Sequence, residues 1–136
     1  MLNVPLISVV DDDESVRESL DGLIRSVGFA VKAFASAEEF LNSDHLRDTD
    51  CLLLDVRMPG MNGIELQRHL VASHCEIPVI FITAHGSEEG VRSQAFRNGA
   101  VDYLIKPLNE DTVLNAVHTA LSSKQPDRHN RNLNNA

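Results

Sequence analysis

The sequence predicts an α/β fold: a five-stranded parallel sheet with helices on both faces. Two observations carry that prediction. Apolar runs at 6–10, 51–54, 78–82 and 101–105 are too short for helices and stop at charged or turn residues, as buried strands do. Between them lie segments whose apolar residues recur at helical spacing. Strands and helices alternating over such short distances imply parallel pairing, with a helical crossover after each strand.

Taken in order, residues 6–10 form the first strand and end directly in Asp11-Asp12-Asp13-Glu14. From Asp13 the period changes, and Val16, Leu20, Leu23, Ile24 and Val27 share one helical face, with Gly28 as the stop. Residues 29–34 alternate weakly, as a second strand would. Ser36-Ala-Glu-Glu39 fits a capping box for a helix that turns Phe40 and Leu41 inward and ends near Asn42. A polar loop precedes the strand at 51–54, which leaves Asp55 at its carboxyl end before a turn holding Pro59, Gly60 and Gly63. The third helix runs from about Gly63 to Ser73, with Leu66 and Leu70 facing inward.

The strand at 78–82 ends in Thr83-Ala-His-Gly86, and Ser87 is the expected cap of a helix opening with Glu88 and Glu89. Val91, Ala95 and Phe96 are its apolar residues and Gly99 ends it. The fifth strand, 101–105, is followed by Lys106-Pro107. Asn109 or Asp111 caps a last helix with Val113, Ala116, Val117, Ala120 and Leu121 on one face. Beyond about Ser123 the apolar content nearly vanishes, so 123–136 is expected to be a disordered tail or the start of a linker, and 4–122 a single domain.

Composition agrees with one globular domain: 136 residues, 43% hydrophobic and 24% charged. No apolar run reaches membrane-spanning length, and the first residues lack the pattern of a secretory signal. A formal net charge of −8 argues against direct binding to nucleic acid. Cys51 and Cys75 lack metal-ligand spacing and are expected as buried free thiols of a cytoplasmic protein.

Right-handed crossovers favour the doubly wound, flavodoxin-like sheet with strand order 2-1-3-4-5. In that order strands 1 and 3 are neighbours, so Asp11, Asp12 and Asp55 converge on one crevice, where strand 4 adds Thr83 and strand 5 adds Lys106. Converging carboxylates repel unless a cation neutralises them. An oxygen-only ligand set favours Mg2+. A metal, a hydroxyl and an ammonium together suit a phosphoryl group in transfer, with the central Asp55 as nucleophile. Each residue also has a plain reading. Thr83 alone reads as a strand-end hydroxyl, Lys106 as a solvated lysine, Tyr103 as a half-buried core aromatic, and Asp11–Glu14 as acids at a helix start. Their convergence on the same strand ends favours the functional reading.

The motifs Val10-Asp-Asp-Asp-Glu14, Leu54-Asp-Val-Arg-Met-Pro-Gly-Met-Asn-Gly63, Ile82-Thr-Ala-His85 and Tyr103-Leu-Ile-Lys-Pro107 stand in this order, each at a strand end. Over about residues 4–122 the chain resembles the bacterial response-regulator receiver domain, the phosphoacceptor module of two-component signalling. It is most similar to the branch that often precedes a helix-turn-helix DNA-binding domain. The resemblance implies that Asp55 accepts a phosphoryl group from a sensor histidine kinase and later loses it by self-catalysed hydrolysis. It implies Mg2+ held by Asp12, Asp55 and the Arg57 backbone carbonyl, with Asp11 helping directly or through water. It implies Thr83 and Lys106 as phosphoryl contacts, and Thr83 with Tyr103 as the switch. A phosphorylation-dependent homodimer through the fourth helix, fifth strand and fifth helix is the expected output.

Two departures accompany the resemblance: the stretch from Thr83 to Lys106 is one residue longer than usual, and Leu108 stands where phenylalanine is frequent. No helix-turn-helix follows, so the chain reads either as a stand-alone receiver or as a piece of a longer regulator. A haloacid-dehalogenase-type hydrolase would need an acid two residues after the nucleophile, where this chain has Arg57. A nucleotide-binding module would need a phosphate loop after the first strand, where this chain has four acids.

Overall fold

The computed structural model describes residues 4–84 and 89–135. Its elements are β1 (Leu6–Val10), α1 (Glu14–Ser26), β2 (Ala30–Phe34), α2 (Ala37–Leu41), β3 (Cys51–Asp55), α3 (Gly63–Ala72), β4 (Val79–Thr83), α4 (Glu89–Arg97), β5 (Asp102–Ile105) and α5 (Glu110–Asn135). The strands form one sheet in the order β2-β1-β3-β4-β5, and every pair is parallel. The doubly wound expectation holds.

Alternation along the strands supplies two cores. Ile7, Val9, Leu53, Ile80, Ile82 and Leu104 face one layer, where Leu20 and Ile24 of α1 and Val113 and Val117 of α5 cover them. Val10, Leu52, Leu54, Phe81 and Tyr103 face the other, against Phe40, Leu66, Leu70 and Ala95. Every residue of β3 and β4 is buried, so the two central strands are a rigid floor for whatever stands at their ends. Each large aliphatic chain buried there contributes about 1.5–3 kcal/mol relative to exposure.

Local signals divide between those that hold and those that shift. Asp13 caps α1, its side chain accepting from the Ser15 N–H at 2.9 Å. Val27 is the C-cap of α1 and is exposed, outside the face that Leu20 and Ile24 bury. Ser36 accepts from the Glu39 N–H at 3.1 Å, but Glu39 accepts from Ala35, one residue before the cap. The reciprocal capping box is instead at α3, where Asn62 and Glu65 each accept from the other's N–H at 2.9 Å. The Ser87 cap lies outside the described residues. Asn109, not Asp111, caps α5, accepting from the Thr112 N–H at 3.1 Å.

Leu121 is the last buried residue of α5 among those whose burial is described, while the helical backbone runs on to Asn135. The disordered tail or linker expected from 123 is instead helical backbone as far as Asn135: the apolar pattern stops near Ser123, yet a helix already nucleated gains one hydrogen bond per residue added and so outruns its packed face.

Candidate functional site

Register brings the predicted residues together. Val10 pairs with Leu54, Asp55 with Ile82, and Thr83 with Ile105, so β1, β3, β4 and β5 end side by side. The Asp11 N–H donates to the Phe34 carbonyl at 3.1 Å and the Arg17 guanidinium donates to the Asp11 carbonyl at 2.9 Å, which fixes the exit of β1. The Lys106 N–H donates to the Thr83 carbonyl at 2.8 Å, extending the β4–β5 ladder by one bond.

One oxygen from each of Asp11, Asp12 and Asp55 lies within 4.8 Å of the other two. Asp11 is fully buried, Asp55 nearly so, and Asp12 faces solvent. The acidic run therefore divides its labour: Asp11 and Asp12 turn to the crevice while Asp13 caps α1. The bond from Ser15 holds the Asp13 carboxyl below its ordinary range.

The Lys106 ammonium stands 2.9 Å from Asp11 and 3.7 Å from Asp55. Burial alone would lower Lys106, but the bond to Asp11 and the charges of Asp55, Asp11 and Asp13 hold it above its ordinary value. Burial and the neighbouring Asp11 push Asp55 up to about 6 despite the opposing Lys106. A set of close carboxylate oxygens with surplus negative charge suits a hard divalent cation. Arg57 lies two residues beyond the strand end and donates its N–H to Asp55 Oδ1 at 3.4 Å, so it belongs to the loop that leaves the crevice. Thr83 is fully buried, and Tyr103 is buried at 4% exposure with its ring centroid 6.1 Å from that of Phe81. Tyr103 is thus more enclosed than the half-buried reading. Desolvation raises its phenol above the usual value.

Two supports of the site escaped the sequence reading. Gly63 packs so tightly under the strand end that a Cβ there would stand 2.3 Å from the Asp55 carbonyl oxygen. Glu38 accepts from the Met61 N–H at 2.9 Å and ties α2 to the loop after Asp55. Gly60 in that loop has φ +76°, a conformation that favours glycine, and faces the Glu38 carboxylate. The sequence shows Gly63 as a turn residue and helix start but not its contact with Asp55, and nothing local marks Glu38.

The fold and this site define a phosphoacceptor-type α/β switch module, and the chain belongs to the response regulator receiver domain family, whose model matches residues 7–118. It is 42% identical over 125 residues to response regulator protein TmoT of Ectopseudomonas mendocina, covering 92% of this chain and 56% of that protein. It is 46% identical over 115 residues to nodulation protein W of Bradyrhizobium diazoefficiens, covering 85% of this chain and 50% of that protein. The chain thus spans about half the length of these curated relatives. Among solved structures, response regulator StyR superposes with a TM-score of 0.88 at 44% identity, covering 98% of this chain and 67% of that one. FixJ-N superposes with a TM-score of 0.77 at 38% identity, covering 89% of this chain and 96% of that one. Receiver domains of this family are signalling switches rather than enzymes with a separate substrate. Among the described residues, no helix is long and apolar enough to cross a membrane.

Proposed function

We propose that Asp55 is the phosphoacceptor of a two-component pathway. The observation that carries this reading is its place at the end of the central strand, between the Asp11–Lys106 pair and Asp12. A carboxylate oxygen of Asp55 attacks the phosphorus of a histidine kinase phosphohistidine; the P–N bond breaks and the imidazole leaves. Asp11, Asp12, Asp55 and the Arg57 carbonyl would hold Mg2+, which would supply charge neutralisation for the phosphoryl oxygens. Lys106 neutralises a further oxygen and Thr83 donates to another. Hydrolysis of the acyl phosphate by the same groups resets the switch.

Occupancy of Asp55 draws Thr83 toward the phosphoryl group and fixes Tyr103 inward, which alters the face formed by α4, β5 and α5. Phe96 and Ile105 on that face are 38% and 47% exposed, apolar surface suited to a second copy of the chain, so a phosphorylation-dependent homodimer is its output. The receiver unit is 4–122, and the helix that continues through Asn135 leads away from it toward an effector or a partner. A cytoplasmic location suits the kinase. Transcription is the controlled process if an effector domain follows, and a partner protein is the target if none does.

Acetyl phosphate with Mg2+ should add one phosphate to the intact mass, and Asp55→Asn should prevent it. Equal labelling of that variant would remove Asp55 from the role.

A further inference from the structure

Tyr103 is buried, yet its hydroxyl has no hydrogen-bond partner among the described residues. Burying an unpaired hydroxyl opposes the inward position of the ring, so contacts to the ring must offset that cost. On one side is Phe81 of β4, its ring tilted by 46° to that of Tyr103. On another is Arg92 of α4. Its guanidinium carbon lies 5.7 Å from the Tyr103 ring centroid and 5.4 Å from that of Phe96.

Phe96 is one helical turn beyond Arg92, so that pairing is local to α4 and orients the guanidinium on the helix surface. The contact with Tyr103 is of another kind, because it joins α4 to β5. A delocalised, weakly hydrated cation over the face of an aromatic ring is attracted by the ring quadrupole. Charge reaches Tyr103 from Arg92 more than from Arg57, consistent with that placement.

We propose that Arg92 is a positioning residue for the switch: seated over Phe96 and Tyr103, it holds the tyrosine ring inward and couples the position of α4 to it. The proposal rests on Tyr103 being the switch ring of the phosphoacceptor reading above. Arg92 acts on the inward–outward equilibrium alone and touches neither the phosphoryl group nor the metal. A cation–π contact at an exposed site shifts such an equilibrium by about two- to five-fold.

The sequence provides a direct readout, since it has one tyrosine and no tryptophan, so its intrinsic emission is that of Tyr103 alone. Acrylamide quenching of that emission should rise about two- to five-fold in Arg92→Ala, in metal-free and unphosphorylated protein. Arg92→Lys keeps the cation and should restore at least half of the difference. Affinity for beryllofluoride, a phosphoryl mimic, should fall in Arg92→Ala by no more than the same factor, because a ligand that selects the inward state is weakened by the lost population. Quenching in Arg92→Ala equal to wild type would overturn the proposal, as would a lysine variant indistinguishable from alanine. Wild-type protein that fails to bind beryllofluoride with Mg2+ would instead overturn the phosphoacceptor reading, and the quenching comparison would still decide the latch.

Discussion

The Lys106 ammonium lies closer to Asp11, at 2.9 Å, than to Asp55, at 3.7 Å. The lysine thus satisfies the acid at the end of β1 first and leaves the central carboxylate only partly neutralised. In the proposed phosphoacceptor role, that asymmetry would leave Asp55 available to a cation and to an incoming phosphorus.

The first consequence is a pH dependence of the metal-free fold. Asp55 is raised to about 6, so the folded state penalises its ionised form. Stability from this group is fully present below the unfolded carboxylate value, falls as pH rises from ~4 to ~6, and then levels. Asp55→Asn should therefore stabilise the metal-free protein at pH 7 by about 1–2 kcal/mol, a figure reduced for water reaching the crevice, and change it little at pH 4. Urea unfolding of both proteins at the two pH values measures this; an Asn variant no more stable at pH 7 contradicts it.

Lys106 and Thr83 should differ in the damage their loss does. Lys106→Ala removes a full charge from the phosphoryl group and from Asp11, and should slow phosphorylation by acetyl phosphate about ten- to hundred-fold. Thr83→Ala removes a neutral hydroxyl and should slow it less, while uncoupling Tyr103 from occupancy of the site. Rates from intact-mass time courses decide the order, and Thr83→Ala proving the slower variant would reverse the assignment.

Strand order and the meeting of Asp11, Asp12, Asp55, Thr83 and Lys106 were legible because each depends on period and on residues adjacent to a strand end. The start of α3 was legible to within a residue, though its Asn62–Glu65 box was passed over, since Gly63 between them reads as a turn. Val27 was placed on the inner face by spacing alone, but a C-cap residue has left the helical path. Glu38 and Met61 are 23 positions apart, and Arg92 and Tyr103 lie on different elements; no local pattern encodes such meetings.

Gly63 tests how closely the backbone of the site is packed. A Cβ at that position would overlap the Asp55 carbonyl oxygen, a backbone atom that cannot swing aside. Gly63→Ala should cost about 1–3 kcal/mol through overpacking. It should also slow phosphorylation beyond what the stability loss explains, because Asp55 itself is displaced. A folded alanine variant labelled at the wild-type rate would show that α3 yields instead.

The last expectation concerns assembly. Phe96 and Ile105 leave apolar surface on α4 and β5, the two elements that Arg92 and Tyr103 connect. On the proposed reading, occupying Asp55 would bias Tyr103 inward and select one arrangement of that face, which a second copy could then cover. The metal-free protein should be monomeric at micromolar concentration and should dimerise with beryllofluoride and Mg2+. Ile105→Glu places a charge on that exposed apolar surface and should weaken the proposed dimer by about ten-fold or more. Light scattering on wild type and Ile105→Glu, with and without the mimic, reads both effects. A monomer in every state would assign the face to a different partner, and a mimic-induced dimer unaffected by Ile105→Glu would place the contact elsewhere on the domain.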